Sequence, residues 1–227
     1  MTVQRNNQVW EQFYCPSNAD RIRKRFPSET LIRFVHHHMD GRPGQKALEI
    51  GFSTGSDLLF LASRGYDVAG VEISGSAIAT ARGRFAEADL PAELVPWQQP
   101  LPFADERFDL VYALETLHYL GDRESFRQAL NDMARLLTPG GAVLFSVPTR
   151  RHLFLTCCRE LSEGRYEFTD ARPDRSGAVI YIPDADMLKE DLSGLYEARV
   201  GYYEFCSDAA RPEGLSSFHL VSGRVRK

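Results

Sequence analysis

Ala47-Leu48-Glu49-Ile50-Gly51-Phe52-Ser53-Thr54-Gly55 runs from an apolar strand into a turn that carries two glycines. Asp57-Leu58-Leu59-Phe60-Leu61-Ala62 follows with the apolar spacing of a helix packed on a sheet. A turn this tight between strand and helix lets a ligand approach the backbone, because glycine removes the side chains that would block it. Val68-Ala69-Gly70-Val71-Glu72 is a second apolar run and ends in an acid, 21 positions beyond Gly51. An acid so placed accepts hydrogen bonds from both hydroxyls of a ribose. Together the two segments predict a nucleoside pocket on an α/β sheet.

Spacing decides which nucleoside. A dinucleotide loop wants glycine at its first, third and sixth positions. Counted from Gly51, these are Gly51, Ser53 and Ser56, so that fingerprint fails. The pattern acid-x-Gly-x-small-x-Gly is met by Glu49, Gly51, Ser53 and Gly55. Here the chain resembles the class I S-adenosylmethionine-dependent methyltransferases, whose first motif has that spacing, usually with glycine where Ser53 stands. Two later segments extend the resemblance. Leu101-Pro102-Phe103-Ala104-Asp105-Glu106-Arg107-Phe108-Asp109-Leu110-Val111-Tyr112-Ala113 is a polar turn feeding a strand. Leu136 to Pro148 reads as a helix end, a Pro139-Gly140-Gly141 turn and another apolar strand. The resemblance covers residues 47 to 148 and, weakly, the C-terminal end.

The rest of the chain fits around that core. Residues 1–45 read as helix, turn, helix and are expected to form a helical lid. Pro27-Ser28-Glu29 starts the second helix, with Leu31, Ile32, Phe34 and Val35 as its buried stripe, and Gly41-Arg42-Pro43-Gly44 ends it. From 46 to 148 strands and helices alternate, the signature of a parallel sheet covered on both faces. Residues 149–183 break the rhythm with mixed polar, basic and aromatic sequence and are expected to form a cap. Residues 184–227 resume with a helix at Asp184–Leu192 and two closing strands, Tyr196–Cys206 and Ser216–Val225, joined by a Pro-Glu-Gly turn. The expectation is one methyltransferase domain over residues 1–227. Its fold class is α/β: a Rossmann-like, mostly parallel seven-stranded sheet with an antiparallel last strand and helices on both faces.

Composition bounds the function. The 227 residues suffice to bury a substantial core, and 43% hydrophobic with 26% charged residues are values of a folded chain. A net charge of −4 provides no global attraction to nucleic acid or an anionic membrane. No apolar run is long enough to span a bilayer, and the polar Thr2-Val3-Gln4-Arg5-Asn6-Asn7 is not expected to act as a signal peptide. Cys15, Cys157, Cys158 and Cys206 have neither zinc spacing nor a secreted disulfide pattern, so reduced thiols in a cytoplasm are expected. His36, His37 and His38 are consecutive and cannot share one helical face as ligands. No metal site is expected, at His152 with Cys157 and Cys158 included.

The resemblance implies S-adenosylmethionine as cofactor and assigns roles. Glu49 sits near the positive methionine end. Gly51, Phe52, Ser53 and Gly55 form the loop, Glu72 takes the ribose, and Ile73 packs on the adenine. Relatives often place an acid against the adenine amino group; Leu94 to Pro100 has none here, so Gln98 takes that place and Trp97 is a stacking candidate. Backbone near Ala113 and Leu114 faces the methionine portion. Tyr14 either closes over the cofactor or is a core aromatic. His118, after the fourth strand, is the candidate general base, its ordinary pKa lying near operating pH, with packing as the alternative. Arg150 and Arg151, nearest the fifth strand, are the candidates for recognising an anionic group, ahead of Arg172 and Arg175. A solvated charged lid, or a few bound nucleotides, is the other reading of that segment.

The expected function is methyl transfer to oxygen or nitrogen of a small molecule, a sugar or natural-product intermediate being among the candidates. The alternatives are an RNA or protein methyltransferase and a non-catalytic cofactor-binding subunit. Net acidity and Ala113-Leu114-Glu115-Thr116, in place of an Asn/Asp-Pro-Pro-Tyr motif, speak against the first. Intact Glu49, Gly51, Gly55 and Glu72 speak against the second.

Overall fold

Largely apolar runs such as Ala47–Ile50 and Val68–Val71 suit a strand covered on both faces, and both lie inside the sheet with a neighbour on either side. The computed structural model describes residues 2–15, 26–206 and 215–226. In chain order the elements are α1 (Thr2–Phe13), α2 (Glu29–His38), β1 (Lys46–Ile50), α3 (Ser56–Ser63), β2 (Asp67–Glu72), α4 (Gly75–Glu87), β3 (Glu93–Pro96) and β4 (Phe108–Ala113). They continue with α5 (Arg123–Leu136), β5 (Leu137–Pro148), β6 (Cys158–Ser162), β7 (Arg165–Phe168), β8 (Val179–Tyr181), α6 (Ala185–Leu192), β9 (Tyr196–Cys206) and β10 (Leu215–Val225).

Seven strands form one sheet in the order β3-β2-β1-β4-β5-β10-β9. The first five run parallel, and β10 pairs antiparallel with both β5 and β9. Strand order reverses between β1 and β4, so their C-terminal ends flank a crevice where α/β sheets collect ligands. One face carries α2, α3 and α4 through Leu31, Leu58, Leu61, Ile78 and Phe85. The other carries α5 and α6 through Phe126, Leu130, Met133, Leu188 and Leu192. The alternation read from the chain is thus physically a sheet coated twice.

Two details depart from the sequence expectation. Ile32 is 37% exposed, because α2 turns only Leu31 and Phe34 fully inward. Residues 149–183, expected as a cap without strands being assigned, hold β6, β7 and β8 in a small antiparallel sheet, with Phe168, Ala178, Ile180 and Ile182 buried there. The expected Pro-Glu-Gly turn lies outside the described residues, as does the link between α1 and α2.

Helix α1 is fastened to that small sheet and to the start of α4. Asn6, almost fully buried, donates from Nδ2 to the carbonyls of Tyr119 and Val179, and its Oδ1 accepts from Val179 N–H at 2.9 Å. Glu11 then accepts from the hydroxyls of Ser74 and Ser76 and from Ser76 N–H at the start of α4. A carboxylate at a helix N-terminus meets unpaired N–H groups, which favours its ionised form. These bonds lower the Glu11 pKa, the Ser76 hydroxyl first. The lid is therefore bound at both ends, across the crevice.

Candidate active site

A cavity of about 340 Å³ opens where β1, β2 and β4 end, beneath α1. Its volume falls in the range of small-molecule sites, roughly 300–1,000 Å³.

At one end lies the loop after β1. Gly51 has φ +76°, donates its N–H to Val71 O at 2.8 Å, and lies against Thr116. Ser53 has φ +54°, a conformation that costs a side-chain-bearing residue on the order of 1–3 kcal/mol. Its hydroxyl accepts from Tyr14 Oη at 2.9 Å, which ties the lid to the loop and gives the serine side chain a use there. Burial, then the charge of Glu72, holds the Tyr14 phenol well above its ordinary pKa, so it stays a donor.

Glu72 closes β2, nearly buried. Its Oε1 accepts from Ile73 and Ser74 N–H, and its Oε2 from Ser53 N–H at 2.8 Å. Burial raises its pKa despite these three donors. An ionised carboxylate has about four acceptor positions, so capacity is left on Oε2 for a ribose hydroxyl. Glu49 is also buried and accepts from Tyr112 Oη at 3.0 Å. Asp57 lines the same end and accepts from Ser28 N–H at 2.6 Å. Carboxylates suit the cationic sulfonium and ammonium of S-adenosylmethionine, while Trp97 and Ile73 supply apolar surface for a base. The donor and acceptor set fits that cofactor.

The far end is aromatic. Trp10, Phe13, Tyr119 and Phe154 line it together with His118 and Arg175. His118 is 1% exposed, and neither ring nitrogen has a hydrogen-bond partner among the described residues. Its pKa lies well below 6.5, through burial first and then the charges of Arg175 and His152. The imidazole is neutral at physiological pH. His152 lies behind it, its ring 4.0 Å from that of Phe154, and accepts from Phe154 N–H at Nδ1. Burial, then Arg175 and Arg172, depresses His152 to about 4.

The cavity gathers Tyr14, Glu49, Gly51, Phe52, Ser53, Glu72, Ile73 and His118. Five other candidates lie outside its lining. Gly55 takes φ +80° as the cap of α3 and packs toward Ala81 and Phe85, so its role is to make the turn. Gln98 is solvent-exposed; the Trp97 N–H bond to Glu72 O brings Trp97 into the lining instead. Ala113 is fully buried in the core, and Leu114 lines the cavity in its place. Arg150 and Arg151 are corrected as well. Their side chains are 45% and 71% exposed and lie near Asp184 at 3.5 Å and Glu204 at 3.3 Å. The arginine that enters the cavity is Arg175, ranked lower because it is farther from β5 in sequence; β7 and β8 fold that distance back. Phe154, one of the aromatics interleaved with the arginines of residues 149–183, is in the lining; Asn6, Trp10 and Tyr119 join it, and nothing local in the sequence marks those three.

A family model described as a methyltransferase domain matches residues 48–145. O-methyltransferase resE of Aspergillus sclerotiorum is 35% identical over 136 residues, covering 58% of this chain and 48% of the relative. A ubiquinone biosynthesis O-methyltransferase of Alkalilimnicola ehrlichii is 34% identical over 178 residues, covering 72% of this chain and 69% of that protein. A solved SAM-dependent methyltransferase of Methanosarcina mazei has TM-score 0.69 at 20% identity, over 86% of this chain and 98% of that one, a likeness of fold alone. The chain spans about half the length of the first curated relatives it matches: 48%, 45% and 55%. Motif spacing, sheet order and sequence identity agree, and the chain belongs to the class I S-adenosylmethionine-dependent methyltransferases.

Proposed function

We propose that this protein transfers the methyl group of S-adenosylmethionine to an oxygen of a small molecule enclosed under α1. One observation carries the reading: the acid-lined end with Glu72 and the aromatic end with His118 open into one cavity. The O-methyltransferase relatives support oxygen over nitrogen as the acceptor atom. When bound, the cofactor supplies an electrophilic methyl carbon on a sulfonium. The work left to the chain is orientation, exclusion of water and handling of one proton. Glu72 would hold the ribose, Glu49 and Asp57 would face the cationic amino-acid end, and Trp97 and Ile73 would flank the base.

Trp10, Phe13 and Tyr14 cover the site from α1, and fastening that helix through Asn6 and Glu11 keeps water out during transfer. A neutral His118 ring nitrogen would take the proton released by the acceptor hydroxyl. A base whose pKa is depressed is best matched to a hydroxyl more acidic than an alkanol, such as a phenol or enol. Removing the charged acceptor of Glu72→Ala should weaken S-adenosylhomocysteine binding roughly ten- to a hundred-fold, on the scale of about 1.5–3 kcal/mol. Calorimetry checks this directly. Unchanged affinity in a folded variant would remove Glu72 from the ribose, and no binding by the parent would remove the function.

A further inference from the structure

Arg175 is the one arginine or lysine among the described residues that line the cavity. Aromatic rings surround its guanidinium: the centroids of Phe154, Trp10, Tyr119 and Phe168 lie 4.8, 5.5, 5.8 and 5.9 Å from Cζ. Nη1 donates to the Tyr119 hydroxyl, which fixes the plane of the group. Nε has no hydrogen-bond partner among the described residues. Its nearest carboxylate oxygen, Asp174 Oδ2, is 3.7 Å away, and Asp174 is itself bonded to Arg172 at 2.9 Å. The side chain is only 15% exposed. A cation so removed from water, sharing a distant and half-exposed counter-ion, is poorly compensated. An anion entering the cavity would meet that deficit, since a charge-assisted bond is strong as well as directional.

The surroundings narrow the anion. A phosphate monoester brings a charge of about −1.5 to −2 and commonly calls for more than one cation, whereas this wall offers a single one. The rings of His118 and Tyr119, 4.1 Å apart, continue the aromatic surface past Arg175, which suits a flat ligand. His118 offers two unpartnered nitrogens on the same wall. We propose that Arg175 anchors a carboxylate of the methyl acceptor, and that the acceptor is a planar hydroxy acid lying among Trp10, Tyr119 and Phe154 with its hydroxyl toward His118. This rests on the methyl-transfer reading of the cavity. It makes Arg175 the residue that selects the acceptor.

The probe is salicylate, with salicylamide as its uncharged counterpart, titrated into protein saturated with S-adenosylhomocysteine. In the parent, salicylate should bind at least tenfold more tightly than salicylamide, a contrast that needs no variant to fold. Arg175→Gln should erase that preference, and Arg175→Lys should restore only part of it, because an ammonium keeps the charge but not the planar fork. Affinity for S-adenosylhomocysteine should stay within about threefold in both variants, as expected for separate subsites that do not couple.

Absence of a salicylate preference in the parent overturns the proposal. So does a loss of S-adenosylhomocysteine affinity in Arg175→Gln with 5′-methylthioadenosine binding unchanged, which would give Arg175 to the cofactor's own carboxylate. If the parent binds no S-adenosylhomocysteine, the methyl-transfer reading falls first. The salicylate preference, measured without it, then still decides whether Arg175 holds a carboxylate.

Discussion

Gly51→Ala tests the loop on which the whole cofactor end depends. The backbone at Gly51 has φ +76°, and its N–H is held by Val71 O at 2.8 Å, so the chain has little freedom to relax. A methyl group added there would lie 2.5 Å from Thr116 Oγ1, closer still to Cγ2, and 2.9 Å from Cβ. The left-handed conformation costs an L-residue about 1–2 kcal/mol, and overpacking of this kind about 1–3 kcal/mol. The sum, about 2–5 kcal/mol, is a large part of the roughly 5–15 kcal/mol that stabilises a folded domain. At about 2–4 °C per kcal/mol for a chain of this length, Tm should fall by roughly 4–20 °C.

A second substitution separates the two causes. Thr116→Ala deletes the two closest atoms but leaves the dihedral unchanged, so the double variant should recover about 1–2 kcal/mol relative to simple addition. Urea unfolding of the four proteins of this cycle measures the coupling. Gly51→Ala within about 0.5 kcal/mol of the parent, or strict additivity with Thr116→Ala, would refute the close-approach argument.

Asn6→Ala leaves buried carbonyl and N–H groups of Tyr119 and Val179 unpaired, at about 2–4 kcal/mol, and should open α1 to protease; an unchanged melt and digestion pattern would show that the lid is held otherwise. His152 should make the fold acid-sensitive. Its folded pKa of about 4 lies below the ordinary 6.5, so the unfolded chain binds more protons in between, and stability present above pH 6.5 is lost as pH falls toward 4. Comparing urea midpoints at pH 7 and pH 4.5, His152→Gln should lose about 2.5 kcal/mol less than the parent, and equal losses would refute the assignment. Changing both Arg150 and Arg151 to Ala should leave the acceptor KM within about twofold, because their partners are exposed and such pairs contribute little; a tenfold rise would restore them to the site.

The cofactor end of the cavity was legible because its signals are local. Gly51 and Ser53 form one turn, and the acid of Glu72 lies where a parallel neighbour must bring it: β1 and β2 pair in register, Glu49 beside Gly70 and Ile50 beside Val71. Of the adjacent candidates Trp97 and Gln98, and Ala113 and Leu114, only Trp97 and Leu114 are in the lining. Side chains alternate along a strand, and where a strand ends decides which of two neighbours faces the ligand. Ser53 was legible as a departure, but its partner Tyr14, 39 positions away, was not shown to be that partner until the lid was in place.

By itself the sequence determined the α/β alternation, the motif spacing and the family, since each rests on periodicity or on neighbours a few residues apart. The tertiary structure alone decided the aromatic end of the cavity, the one proposed to hold the acceptor. Asn6 meets Val179 across 173 residues, and Arg175 meets Tyr119 across 56. Residues 149–183 carry several arginines of similar composition, and proximity along the chain favoured Arg150 and Arg151. Arg150 and Arg151 lie beside Asp184 and Glu204 instead, while the pairing of β7 with β8 brings Arg175, in the connection between them, back to the cavity. Which charge enters a cavity depends on contacts distant in sequence, and no local pattern encodes them.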